Sequence, residues 1–193
     1  MNILLIPRVE INKQRNETNY ALDIRLIKFL NTCFKTNNVF INELNLKNKI
    51  KIDLIVISGG NNLINKNKND KLRLKISRKI IKFGLSKRIP ILGICYGAQL
   101  ISTMFGCKLS KVTGHVGINH YIYDKKSKRL VNSYHDYSIK LNNSKKIKTL
   151  FTDKKKNIEA FSKGKKVLGI MWHPERYNKL KKKDIQMVKN LCN

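Results

Sequence analysis

Pro90-Ile91-Leu92-Gly93-Ile94-Cys95-Tyr96-Gly97-Ala98-Gln99 is the stretch on which the reading of this chain turns. Its first half is a short, unbroken apolar run, the pattern of a strand buried on both faces. The residues that follow, 97–104, read as a helix. A cysteine stands at the junction, between Gly93 and Gly97. Glycines so placed let a strand and the next helix approach closely and leave room for a sharp turn. The thiol then stands above the carboxyl end of the strand, with a helix amino terminus behind it. Helix N–H groups favour negative charge and lower a thiol pKa from its ordinary value of about 8.5. This is the cysteine form of a nucleophile elbow, and it aims the Tyr96 backbone N–H at a developing oxyanion.

Outward from this junction, the amino-terminal half alternates strands and helices. Residues 3–6 and 54–57 are further apolar runs, and 39–41 is a shorter strand candidate. Leu22, Leu26, Phe29, Leu30 and Cys33 recur at helical spacing within 21–34, and Leu72, Ile76, Ile80 and Phe83 predict a second helix with that face inward. The order β-α-β-α with unbroken apolar strands implies a parallel sheet covered on both faces. The second half predicts shorter strands at 120–123, 129–132, 137–141, 157–161 and 167–172, and an amphipathic helix at about 179–191. Polar stretches at 61–70 and 142–146 read as surface loops. The expected architecture is an α/β three-layer sandwich with a mostly parallel central sheet and an antiparallel extension, one domain over residues 1–193.

Cys95 needs partners. Gly59-Gly60 follows the 54–57 strand at the same end of the sheet, so the Gly60 N–H can supply a second oxyanion donor, typically worth about 10²–10³ in rate. Of four histidines, His173 lies in Gly169-Ile170-Met171-Trp172-His173-Pro174-Glu175-Arg176. An apolar strand delivers it to a loop that Pro174 stiffens, and Glu175 is close enough to orient its ring. Cysteine, histidine and glutamate in these roles make a triad for acyl transfer, a reaction that calls for neither metal nor cofactor.

Composition bounds the alternatives. The chain has 193 residues, 41% hydrophobic, with 41 Lys+Arg against 12 Asp+Glu and a formal net charge of +29. Lysines are spread along the whole chain among asparagines and isoleucines, with no basic helix or aromatic-interleaved ribbon. The charge therefore reads as compositional bias that draws anionic substrates to a cleft, and no specific nucleic-acid partner is expected. No apolar run approaches the roughly 18 residues of a membrane span, and residues 1–8 read as a first strand, not a leader. A cytoplasmic location is expected. The four cysteines include no C-x-x-C pair, so no zinc site or disulfide framework is indicated. Cys33 and Cys107 read as small buried hydrophobes.

Together the motifs resemble the class I glutamine amidotransferase superfamily. Gly93, Cys95, Gly97 and Gln99 match its Gly-x-Cys-x-Gly-x-Gln pattern, and His173, Pro174 and Glu175 its His-Pro-Glu, 78 residues on (173 − 95). Ser58-Gly59-Gly60-Asn61, residues 131–135, Ile158-Glu159-Ala160-Phe161 and 171–176 are similar to its stand-alone γ-glutamyl hydrolases. The resemblance implies a hydrolase acting on a small γ-glutamyl amide or glutamine, with a nucleotide-linked amide compatible with the charge. It implies that Gln99 holds the glutamyl head group and that Ser133, Tyr134, His135 and Asp136 line the same pocket. His115 and His120 either contact the leaving group or are structural. Departures from that branch are Tyr96 after the cysteine, Asn62 in the Gly-Gly turn, and Arg73-Leu74 where an acidic residue is usual. The other activity the family implies is a glutaminase subunit that hands ammonia to a synthetase partner.

Overall fold

The computed structural model describes residues 1–34, 38–40, 51–64, 67–141 and 146–192. Five parallel strands form the first part of one continuous sheet, in the order β4 (Asn38–Phe40), β1 (Asn2–Ile6), β5 (Leu54–Ile57), β6 (Ile91–Ile94) and β13 (Val167–Ile170). Along β1 and β5 successive residues alternate between two cores. Ile3, Leu5, Leu54 and Val56 pack with Leu26, Phe29 and Leu30 of α1 (Ile24–Phe34) and Val188 of α4 (Lys182–Lys189). Leu4, Ile6, Ile55 and Ile57 pack with Leu74, Ile80 and Ile81 of α2 (Lys68–Ser86) and with Leu100 and Ile101 of α3 (Tyr96–Met104). Strands buried on both faces have no polar side to show, which is why they read as unbroken apolar runs.

From β13 the sheet continues antiparallel through β12 (Ile158–Lys163), β11 (Lys148–Thr152), β8 (Val116–Tyr123) and β9 (Lys128–Tyr134). β10 (Tyr137–Lys140) branches from β12 and pairs with β7 (Lys108–Lys111). The expected sandwich with an antiparallel extension is therefore present, and the extension holds as much strand as the parallel part.

Several local expectations are corrected. The segment after β1 is a hairpin, β2 (Arg8–Asn12) and β3 (Glu17–Ala21), and α1 starts at Ile24, three residues later than its spacing suggested. The 61–70 loop is shorter, because Asn67 and Asp70 form a capping box that starts α2 at Lys68. The inward face of α2 is rotated: Leu72 is 42% exposed, whereas Asp70, Arg73, Leu74 and Ser77 are buried with Ile80 and Ile81. Asp70 is held inside by the capping box and by accepting from Asn62 N (3.0 Å), and Arg73 by the acceptors described below. Of the 39–41 candidate, Ile41 lies outside the described residues, as do 142–145 of the second polar stretch.

The order β5-β6-β13 has one consequence for function. The registers Ile57↔Gly93 and Gly93↔Gly169 bring the carboxyl ends of three neighbouring strands level. The segments that leave those ends carry Gly59-Gly60, Cys95 and His173.

Candidate active site

Cys95 sits between β6 and α3 with φ 50° and ψ −101°, a left-handed φ that a non-glycine residue adopts only when its surroundings enforce it. Its N–H donates to Ile170 O (2.8 Å), which ties the turn to β13. The two flanking glycines are sterically required. A Cβ on Gly93 would lie 2.5 Å from the Gly97 carbonyl carbon, and one on Gly97 would lie 2.3 Å from Ile57 O. Gln99 N donates to Cys95 O (2.9 Å), the first bond of α3. The N–H groups of Tyr96 and Gly97 therefore open the helix without an intrahelical acceptor, beside the sulfur.

His173 is buried, and its Nδ1 lies 2.6 Å from Glu175 Oε1. Its backbone is clamped by one side chain: His173 N donates to Asn132 Oδ1 and Asn132 Nδ2 donates to His173 O, both at 2.8 Å. Gly59 fits against the imidazole, where an added Cβ would approach Cε1 to 2.5 Å and Cys95 Cβ to 3.5 Å. These contacts set the ring and the thiol side by side at one cavity. Burial pushes the Cys95 thiol pKa up, but the hydrogen bond from His173 and the charges of His173, His135 and Arg176 outweigh it, so the net direction is down. Burial likewise disfavours imidazolium, yet the bonds to Cys95 and Glu175 raise the His173 pKa to about 9. The pair is thus shifted toward thiolate and imidazolium.

The Gly59-Gly60 turn is held from below by Arg73. Its guanidinium, fully buried, donates to the carbonyls of Ser58 (2.6 Å), Gly59 (3.2 Å) and Gly60, and lies 4.0 Å over the Tyr96 ring. Asn61 ties the same turn to β2 through Val9 N (2.9 Å) and Val9 O (3.0 Å). Three strand-end carbonyls explain why α2 turns Arg73 inward in preference to Leu72.

Thiol and imidazole open into a cavity of about 150 Å³. Gly60, Tyr96, Gln99, Tyr134, His135 and Asp136 line it, as the sequence suggests, together with Asn61, Asn62, Tyr137 and Arg176. Gln99 Nε2 donates to Tyr137 O (2.8 Å), leaving Oε1 as its free function. Ser133 is the exception. Its side chain is fully buried and donates to His115 O (2.6 Å), so it contributes nothing to this wall. His115 and His120 also lie elsewhere, on a second cavity of about 350 Å³. Arg73, Asn132 and Arg176 had no separate signal in sequence. Each acts through a fold-dependent contact, although the Arg73 position stands out as a departure from the related branch.

A cysteine on a strand-to-helix turn thus stands beside a carboxylate-bound histidine, at the carboxyl ends of three parallel strands. The chain belongs to the class I glutamine amidotransferases, whose family model matches residues 18–191. It is 36% identical over 141 residues to the γ-glutamyl-CDP-amidate hydrolase of Campylobacter jejuni, covering 72% of this chain and 68% of that one. It is 32% identical over 100 residues to the carbamoyl phosphate synthase small chain of Thermoplasma volcanium, covering 50% of this chain and 29% of that one. A glutamine amidotransferase structure from Thermotoga maritima aligns over 90% of this chain and 76% of its own, with TM-score 0.66 and 21% identity, a likeness of fold. Among the described residues no helix is long and apolar enough to cross a membrane.

Proposed function

We propose that the protein is a stand-alone cysteine hydrolase of γ-glutamyl amides. The observation that carries this reading is Cys95 at a left-handed turn, sharing a cavity with the His173 ring whose Nδ1 is bound to Glu175. The Cys95 thiolate attacks the amide carbonyl carbon, and the electron pair moves to oxygen. The N–H groups of Tyr96 and Gly60 hold that oxyanion. The His173 imidazolium gives its proton to the leaving amine as the C–N bond breaks, which leaves a γ-glutamyl thioester on Cys95. A water then loses a proton to His173 and attacks the thioester, releasing glutamate and restoring the thiolate. Gln99 holds the glutamyl head group, and Tyr134, His135 and Asp136 line the same pocket. No metal or cofactor enters these steps.

The substrate we favour is a γ-glutamyl-CDP-amidate, with glutamate and cytidine diphosphoramidate as products, in the phosphoramidate decoration of a surface polysaccharide. Support comes from similarity to the C. jejuni hydrolase and from a net charge of +29, which suits a diphosphate-bearing substrate. The reaction is expected in the cytoplasm. Incubation of the purified chain with glutamine, γ-glutamyl amines and a γ-glutamyl nucleotide amidate tests this: the amidate should release glutamate with no second protein, and inertness toward all three would refute it.

A second reading is a glutaminase subunit that passes ammonia to a synthetase partner. Two observations favour it: the similarity to a carbamoyl phosphate synthase small chain, and the exposure of Val116, Ile118, Leu130 and Tyr134 on the β8–β9 hairpin, with Tyr134 at the cavity rim. Glutamine turnover that appears only when a synthetase is added would select this reading.

A further inference from the structure

His135 lines the Cys95 cavity, but its other edge belongs to a second group of buried side chains. His115 precedes β8, His120 is within it, His135 follows β9 and Glu159 lies on β12. Glu159 is fully buried, and His135 and His115 nearly so. The three ring nitrogens converge on one carboxylate. Glu159 Oε1 is 3.7 Å from His115 Nδ1, and Oε2 is 3.5 Å from His120 Nε2 and 3.6 Å from His135 Nε2. All three separations exceed the 2.7–3.2 Å range of N–H···O bonds. Both carboxylate oxygens and all three nitrogens are buried without a hydrogen-bond partner, a condition that buried polar atoms rarely tolerate.

The outer contacts show what is missing between them. His135 Nδ1 lies 3.1 Å from Tyr137 O, which only accepts, so Nδ1 carries a proton and Nε2 is the edge turned to Glu159. His115 Nε2 lies 3.3 Å from Asp153 Oδ2, which turns Nδ1 toward Glu159. Ring nitrogens and carboxylate oxygens thus face one another at separations that a cation standing between them would bridge. Donor atoms about 2.1 Å from a tetrahedral metal lie roughly 3.4 Å from one another, close to the separations here. One atom from each of His115, His135 and Glu159 fits within 4.8 Å of the others.

We propose that His115 Nδ1, His135 Nε2 and Glu159, with His120 Nε2 as fourth donor, bind a borderline divalent transition-metal ion, zinc foremost. Imidazole and carboxylate donors in this number suit zinc. Asp153 and the Tyr137 carbonyl provide the outer hydrogen bonds that orient metal-bound histidines. Asp153 is itself fixed by Asn157 N (2.8 Å) and Asn157 Nδ2 (2.6 Å). The 350 Å³ cavity that reaches His115 and His120 supplies an entry path. The ion ties β8, β9 and β12 together and, through His135, holds the Tyr134–Tyr137 wall of the Cys95 cavity. It is a positioning element, independent of the reaction proposed above. Composition hid the site because its ligands are scattered over three strands and include no cysteine pair.

The test is titration of the tag-free, chelator-treated full chain with Co²⁺, followed by visible d–d absorption, with elemental analysis after zinc loading. The expected results are one ion per chain, tetrahedral d–d bands that one equivalent of Zn²⁺ removes, and the same spectrum in Cys95→Ser. Asp153→Asn should weaken affinity by about 10–100-fold, and Glu159→Gln should lose stoichiometric binding with its far-ultraviolet circular dichroism unchanged. An absence of d–d intensity above the hydrated ion in the parent protein would overturn the site. So would binding that disappears in Cys95→Ser, which would assign the metal to the thiolate.

Discussion

Charge at Cys95 is decided by a contest between burial and partners. Burial raises the thiol pKa, and the His173 bond with the surrounding positive charges brings it down. His173 in turn keeps its proton up to a pKa of about 9. Each partner thus favours the charged form of the other, and on the proposed mechanism kcat/KM should fall above about pH 9 as His173 loses the proton it gives the leaving amine. A pH–rate profile checks this, and an alkaline limb near the histidine value of about 6.5 would contradict it. His173→Ala should cost about 10²–10⁴ in kcat, and Glu175→Gln less, because it orients the ring and transfers no proton itself. Gly59→Ala is a sharper probe. Its methyl would displace the imidazole, and a shift of about 1 Å should cost on the order of 10² in rate while the melting temperature stays near the parent value. At this scale the site was legible in sequence where chemistry and spacing coincide, as at Cys95, His173 and Glu175. Ser133 was misread because adjacent strand residues point to opposite faces, and that alternation put its hydroxyl inside.

Among the elements, the legible ones were those buried on both faces. β5, β6 and β13 are apolar throughout and β1 is so after Asn2, and no exposed position interrupts the run. β3 is mostly exposed and β2 and β7 partly so, and all three are rich in charged and polar residues, so their pattern resembles loop. Helix α2 shows the converse: periodicity identified the helix, but the acceptors at the end of β5 chose its inward face through Arg73. Similar reasoning applies to α4. Asp184 on this helix is paired with Arg129 of β9, both buried, and Arg129 also lies over the Trp172 and Phe151 rings. Trp172 directly precedes His173, so this contact links the last helix to the site. Asp184→Ala leaves Arg129 buried without a counter-charge and should destabilise the fold by about 3–5 kcal/mol, read as a lowered midpoint in urea. A change within about 0.5 kcal/mol, the usual range for surface positions, would show that the pair contributes little.

For the whole molecule, the excess of lysine gives a long-range field that individual contacts do not reveal. If a diphosphate-bearing amide is the substrate, its kcat/KM should drop about tenfold from low to physiological salt, whereas that of glutamine should change little. Equal salt dependence for both would detach the charge from substrate capture. The same global view separates the four thiols. Burial pushes Cys33 up to about 12 and Cys192 up to about 11, and it raises Cys107 as well; only Cys95 is lowered. The most direct measurement is therefore intact and peptide mass spectrometry after treatment at neutral pH with a glutamine analogue that carries a diazoketone in place of its amide. One γ-glutamyl-sized adduct per chain should appear on Cys95, be prevented by substrate and be absent from His173→Ala at matched times. Label spread over several cysteines, or a chain that stays unmodified, would contradict the assignment of Cys95 as the nucleophile.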